Sequence, residues 1–268
     1  MGISGAAYAT VISQGVAGLL CLIYTAKNFP ILKLKKIHFK NGTKYFTNHL
    51  KIGIPMALQF SIIAIGVIIV QSTINSFGSD VVAAHTTACK IEEILMQPSI
   101  TFGLTMATYC AQNLGAGNIE RIKEGVKKCA MINAVIGIIC AIILNLFGEF
   151  FINIFISNPN ETVLSTAKLY LNIISIFFIP LSLLFVYRNA LQGMGYTVIP
   201  MMASVYEVFA RTLIPFTLPI FIGYVGICII NPVVWSSTAA LLAFSYRKKI
   251  NTLISSNDKT TSPILSLD

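Results

Sequence analysis

The stretch that decides the fold runs from Asp80 to Asn118 and reads DVVAAHTTACKIEEILMQPSITFGLTMATYCAQNLGAGN. After Asp80, its only charged residues are Lys90, Glu92 and Glu93, which lie close together in an apolar segment. Ionisable side chains are costly at membrane depth, and those found there are candidates for functional sites. The run Gly115-Ala116-Gly117 then ends the helix and lets the chain turn. The stretch is therefore predicted to be a membrane helix that carries a charged cluster.

The composition of the whole chain is that of a membrane protein. Of its 268 residues, 55% are hydrophobic and 11% are charged, and the mean hydropathy is +0.77. Soluble domains carry about 25% charged residues. The chain is therefore predicted to be an all-α integral membrane protein.

The net charge of +9 would suit nucleic-acid binding, but the positions of the bases argue against it. All but three of the 19 Lys and Arg residues fall between or after apolar runs, and the exceptions are Lys90, Lys168 and Arg211. This positive-inside pattern predicts an outside N-terminus and a cytoplasmic C-terminus, and no nucleic-acid partner is expected. The four basic segments are residues 25–51, 114–128, 188–196 and 247–268.

Seven segments are long and apolar enough to be candidate membrane spans, each of about 20 residues. They are Ile3–Tyr24, Ile52–Asn75, the helix that opens at Asp80, Gly125–Leu146, Ala167–Tyr187, Val198–Phe221 and Gly223–Tyr246. The predicted organisation is a first helix (1–24), a cytoplasmic basic linker (25–51), a six-helix unit (52–248) and a cytoplasmic polar tail (249–268). A longer loop is predicted over Gly148–Thr166, and Asn251–Asp268 is predicted to lack regular structure.

Signals for enzyme chemistry and metal binding are absent from the sequence. The six cysteines form no CxxC pair, and the three histidines do not have metal-ligand spacing with one another. No GxSxG, Walker or HExxH motif occurs. Neither an enzyme, nor a cofactor, nor a bound metal is expected.

The strongest candidates for substrate or ion binding are Glu92 and Glu93, which would attract a cation or accept a proton. Lys90 lies three residues before Glu93, so those two side chains can pair on one face of the helix. A structural ion pair at the membrane edge is the alternative interpretation. Glu207 and Arg211 lie four residues apart, acid before base, which favours a structural pair.

Three polar side chains in the second candidate span are further candidates to line a cavity. They are Gln59, Gln71 and Asn75, of which the last two lie four residues apart and hence on one face. Hydrogen bonds between helices are the equal alternative for all three, because polar side chains avoid lipid.

Several of these motifs together resemble a known family. The motifs are Ala9–Gln14, Gly53-Ile54-Pro55, Val82–His85, Lys90-Ile91-Glu92, Pro98, Gln112–Gly117 and Leu191–Gly195. In order and spacing they resemble the multidrug and toxic compound extrusion (MATE) transporters over roughly residues 1–248.

The resemblance implies a fold and a function. Members of that family have twelve helices in two six-helix lobes and exchange amphipathic organic cations for Na⁺ or H⁺. This chain would supply the end of the sixth helix and then the whole second lobe. Its expected partners are a small organic cation, the lipid bilayer of the plasma membrane, and an N-terminal six-helix lobe that the sequence lacks. Without that lobe, the resemblance implies no transport, because alternating access moves one lobe against the other.

The resemblance leaves the coupling ion open between Na⁺ and H⁺. Some Na⁺-coupled members hold the ion on acidic residues in spans that correspond here to Ile52–Asn75 and Ala167–Tyr187, and neither contains Asp or Glu. Two other functions stay open. A lipid-linked sugar flippase of the same superfamily would have a basic cavity, whereas here the acids Glu92, Glu93 and Glu207 outnumber the bases Lys90 and Arg211. The second open alternative is a non-transporting remnant or scaffold.

Overall fold

A computed structural model describes residues 2–30, 42–156, 158–216 and 218–261. Within these ranges the chain is helical and contains no β-strand. It divides into two compact units, Met1–Lys51 and Ile52–Asp268. The elements are α1 (Gly2–Asn28), α2 (Gly42–Asn75), α3 (Ser79–Gly115), α4 (Ile119–Phe155), α5 (Glu161–Ser175), α6 (Phe178–Gly193), α7 (Val198–Leu213), a 3₁₀ turn (Ile214–Phe216), α8 (Leu218–Ile222) and α9 (Tyr224–Thr261).

The first unit contains α1 and the beginning of α2. Helix α1 is 27 residues long and almost entirely apolar, as the sequence predicts for the first span. Helix α2 begins at Gly42, well before the predicted start of the second span at Ile52, so part of the predicted basic linker is helical. Residues 31–41 of that linker lie outside the described residues.

The second unit is a bundle with α6 at its centre, in contact with α3, α4, α7 and α9. The end of α2 packs on α9 through Val70 and Ile74. The core is formed by large apolar and aromatic side chains that are fully enclosed, among them Ile91, Ile122, Leu144, Tyr170, Phe178 and Leu191. Burial of such side chains supplies packing contacts that hold helices together in lipid.

Helices α3 and α6 approach closely because glycine lies at their contact. A Cβ atom added to Gly103 would lie 2.9 Å from Cβ of Phe185, and one added to Gly193 would collide with the carbonyl oxygen of Ala107. Ser99 and Ser182 hydrogen-bond to each other across the same contact at 3.0 Å. Small residues let membrane helices approach until side chains and backbone interlock.

Proline interrupts two of the predicted spans. The fifth, predicted as one helix over Ala167–Tyr187, consists of α5 and α6, which meet at an angle of 56°. Pro180 accounts for this break because its ring clashes with the carbonyl oxygen four residues earlier, at Ile176. The sixth predicted span ends as a helix at Leu213, and the 3₁₀ turn that follows contains Pro215.

Four helices are long and apolar enough to cross a membrane among the residues described, or five if the bent pair of α5 and α6 counts as one. The four are α1, α2, α4 and α9. Helix α3 is 37 residues long but carries the charged cluster, and α7 has only 16 residues. The prediction of a helical membrane protein is confirmed, and the count of seven spans stays a prediction.

The prediction of irregular structure is wrong for two segments. Most of Gly148–Thr166, predicted as a loop, is helical, because α4 continues to Phe155 and α5 begins at Glu161. The predicted tail from Asn251 onward is helical as far as Thr261, and residues 262–268 lie outside the described part. The reason is apolar spacing, since Ile250, Leu253 and Ile254 continue one face of α9 into the core.

Replacing Gly193 by alanine should destabilise the bundle. The added methyl group has no room beside Ala107, so α3 and α6 must separate. Overpacking of this kind costs about 1–3 kcal/mol. The melting temperature of the purified protein in detergent measures the effect. Gly148→Ala is the matched control, because no neighbouring atom lies within 4 Å of its added Cβ. Equal melting temperatures for the two variants would contradict the close contact.

Candidate functional site

A cavity of about 350 Å³ opens inside the second unit among α2, α3, α5, α6, α7 and α9. Its walls are largely apolar, and they include Met96, Leu181 and Trp235. Its charged lining consists of Glu92, Glu93 and Arg211, and its neutral polar lining includes Gln71, Tyr170 and Asn231. The structure thus brings four of the candidates predicted from sequence to one cavity.

The carboxylate of Glu92 is held by a tyrosine. The Tyr170 hydroxyl donates to Oε2 of Glu92 at 2.9 Å, and Tyr170 itself is fully buried on α5. The ring of His85 packs edge-on against the Tyr170 ring, with their centroids 4.6 Å apart. Tyr170 is therefore fixed by packing, and it orients Glu92 with a neutral donor rather than with a base.

Glu93, the next residue, is in a different environment. Its Oε2 atom accepts from Nζ of Lys90 at 2.8 Å, and both side chains are more than half exposed (57% and 60%). The predicted pairing of Lys90 with Glu93 is confirmed. Adjacent residues on a helix point about 100° apart, so one carboxylate faces the cavity interior while the other is paired at the surface.

Glu207 is buried between two arginines. It is 2% exposed, and it accepts from Nη1 of Arg211 at 3.3 Å through Oε2 and from Nη2 of Arg188 through Oε1. The predicted pair of Glu207 and Arg211 is confirmed. The assignment of Arg188 to a basic connecting segment is wrong, because this residue is 9% exposed on α6. One sequence signal set Arg188 apart: it is the single base in residues 188–196, whereas the other basic segments contain several.

Hydrogen bonds join the buried Glu207–arginine cluster to the pair of Tyr170 and Glu92. Nε of Arg211 donates to Oδ1 of Asn231 at 3.4 Å, and Nδ2 of Asn231 donates to the Tyr170 hydroxyl at 3.5 Å. The resulting polar chain runs through five helices. Its members are Arg188 on α6, Glu207 and Arg211 on α7, Asn231 on α9, Tyr170 on α5 and Glu92 on α3. With both carboxylates ionised, its two positive and two negative charges balance.

The three amide candidates of α2 lie in different places. Gln59 is buried and accepts from Nε2 of Gln192 at 2.8 Å, which joins α2 to α6. Gln71 lines the cavity and donates to Oδ1 of Asn75 at 3.0 Å. Gln59 therefore forms an interhelical hydrogen bond, whereas Gln71 forms part of the cavity wall and bonds within its own helix.

Comparison with known proteins agrees with this architecture. The sequence model of the MatE family matches residues 55–217. The chain is 29% identical over 197 residues to the probable multidrug resistance protein YpnP of Bacillus subtilis, covering 73% of this chain and 43% of that protein. It is 26% identical to the probable multidrug resistance protein NorM of Thermotoga maritima, covering 91% of this chain and 53% of that protein.

A solved structure shows the same fold. It is an outward-facing multidrug resistance MATE family transporter of the MOP superfamily, which superposes with a TM-score of 0.86 at 18% identity. The match covers 95% of this chain and 58% of the solved chain. The chain spans about half the length of the curated relatives it matches.

The apolar helical bundle with charged groups enclosed around a cavity defines an integral membrane protein of the helical class. Within that class, the chain belongs to the MatE family, whose model covers more than half of its residues.

Replacing Glu207 by glutamine should destabilise the protein strongly. The change leaves the buried Arg188 and Arg211 guanidinium groups without an anion. Removing one partner of a buried ion pair costs about 3–5 kcal/mol. Thermal unfolding of the purified protein in detergent measures the loss.

Glu93→Gln is the control for this experiment, because it removes an equivalent carboxylate from an exposed pair. We expect it to leave the melting temperature almost unchanged. Similar shifts for both variants would show that Glu207 is not an essential buried anion.

Proposed function

We propose that the chain is the second lobe of an antiporter that exports amphipathic organic cations in exchange for Na⁺ or H⁺. The observation that carries the proposal is the position of Glu92, a carboxylate that lines a largely apolar cavity and is bound by a hydroxyl. Its charge is not cancelled by a direct ion pair in the described residues. The names of the relatives, probable multidrug resistance proteins, agree with this substrate class.

Glu92 suits exchange because one carboxylate cannot serve two cations at once. The apolar wall, including Met96 and Trp235, would take the hydrocarbon part of the substrate. The ionised carboxylate would attract its charge. A proton or a sodium ion arriving at Glu92 would neutralise that attraction and favour release, so the two ligands are coupled by competition.

Either coupling ion is compatible with the groups around Glu92. A proton needs one carboxylate oxygen. Sodium needs several oxygen ligands, and the Tyr170 hydroxyl and the Gln71 amide provide side-chain oxygens in the same cavity lining. The polar chain behind them, with its balanced charges, would keep Tyr170 and Asn231 in place during either exchange.

Transport by this lobe requires a second lobe under the proposal. Alternating access is the movement of one lobe against another around a central site, and the matched stretch is only about half of each relative. The complete transporter would lie in the plasma membrane with the C-terminus of this chain in the cytoplasm. Expressed alone, the chain should not export.

A lipid-linked sugar flippase is the second candidate, and the burial of Arg188 bears on it. This residue raises the bases among the charged candidates to three, with Lys90 and Arg211, so acids no longer outnumber them. Arg188, however, is bound to Glu207 and does not line the cavity. In the cavity lining, Glu93 is paired with Lys90 and Arg211 with Glu207, which leaves Glu92 as the lining group without a direct ion pair among the described residues and favours a cationic substrate.

Export of ethidium, an amphipathic cation, tests the proposal in cells that lack their own drug pumps. The chain is expressed alone, and with the N-terminal six-helix lobe of a relative. Export is expected only with that lobe, and Glu92→Gln should lower it at least about tenfold, because the neutral amide lacks the charge that attracts the cation and contacts to a charged group contribute about 1.5–3 kcal/mol.

Glu149→Gln is the control, since it removes an exposed carboxylate that pairs with Lys168 at 3.3 Å outside the cavity. It should leave export unchanged. Export that survives Glu92→Gln would remove Glu92 from the mechanism. No export in any arrangement, with the protein present in the membrane, would favour the non-transporting remnant.

A further inference from the structure

A second opening lies between α4, α6 and α9, and its lining shares no residue with the cavity of Glu92. Its volume is about 450 Å³. Three bases, Lys123, Lys127 and Arg247, lie along its rim, and apolar side chains form its walls. We name this opening the basic groove.

The bases of the basic groove are largely without anions. Within the part of the chain that the structure describes, neither Lys127 nor Arg247 has an acidic partner, and both are exposed. Lys123 makes only a long contact of 3.8 Å with the exposed Glu120. The neighbouring Lys128 differs, because it is bound to Glu124 at 2.6 Å. The rim therefore carries uncompensated positive charge.

The walls of the groove are suited to hydrocarbon. They include Met131, Ala134 and Leu183, and two aromatic residues, Tyr187 and Tyr246, whose ring centroids lie 5.5 Å apart. Tyrosine is enriched where a membrane protein meets the headgroup region of the bilayer, and basic side chains extend toward the same level. An anionic group at the rim with an apolar chain below it would match both parts of the lining.

We propose that the basic groove binds an anionic diacyl phospholipid. The phosphate would lie on Lys127 and Arg247, and one acyl chain would follow the wall past Ala134 and Leu183. Basic pockets between membrane helices are suited to anionic headgroups. A free phosphate ion would satisfy the rim but leave the apolar wall uncovered. The proposal does not depend on transport, since lipid binding is measured without it.

Native mass spectrometry of the purified full chain tests the proposal, with phosphatidylglycerol or phosphatidylcholine added in detergent. Phosphatidylglycerol should bind preferentially. The double variant Lys127→Gln/Arg247→Gln should reduce its occupancy about tenfold, because each base near the surface contributes to the attraction. Phosphatidylcholine binding and the melting temperature in that lipid should stay unchanged, which shows that the variant folds.

The matched control is Lys128→Gln/Lys248→Gln, which removes the same charge from adjacent positions that do not line the groove. It should keep the preference for phosphatidylglycerol. An equal loss in both double variants would show general surface attraction and overturn the proposal. Persistence of the preference in Lys127→Gln/Arg247→Gln would overturn it as well.

Two further experiments distinguish binding of a lipid from binding of a free anion. Ala134→Phe fills the apolar wall without changing any charge and should also lower phosphatidylglycerol occupancy. If it has no effect, no acyl chain lies in the groove and the proposal fails. Inorganic phosphate at millimolar concentration should not displace the lipid, and full displacement would identify an anion site instead. If the double variant does not fold, Ala134→Phe decides alone.

Discussion

A buried carboxylate must be neutralised, and this constraint at Glu207 organises the candidate site. Removal of an ionised carboxylate from water is unfavourable unless ion pairs and hydrogen bonds replace the lost hydration. Arg188 from α6 and Arg211 from α7 do this together. Arg211 in turn binds Asn231, which ties α9 to the pair. Three helices are thereby fixed in register around one anion, and the cavity lies beside them.

Glu92 and Glu93 show how adjacent positions on a helix place the same side chain in two different environments. Both are glutamates in α3, yet one accepts from the buried Tyr170 hydroxyl and the other from the exposed Lys90. The paired carboxylate has no net charge to offer a ligand. The carboxylate bound by a neutral donor lines the cavity and has no direct ion pair among the described residues. Neighbouring chemistry, rather than residue type, therefore distinguishes the candidate binding group from the structural one.

The sequence predicted contacts that are local and missed those that depend on packing. Lys90–Glu93 and Glu207–Arg211 follow from helical spacing of three and four residues. Tyr170 and Glu92 are 78 residues apart, and Arg188 and Glu207 are 19 apart on different helices, so no local pattern reveals either contact. Helix ends were missed for a related reason. The apolar spacing that extends α9 becomes meaningful only once the core against which it packs is known.

A count of charged residues in the sequence is likewise blind to contacts between distant residues. Such a count was the basis for comparing a cation exporter with a flippase. Arg188 adds a base to the count but does not line the cavity, because it is bound to Glu207. Lys127 and Arg247, which the positive-inside pattern treats as topological signals, lack such partners in the described residues and line a groove. A base acts on a ligand only when no carboxylate has bound it first. Partnership within the fold therefore decides where this chain can attract a cation and where it can attract an anion.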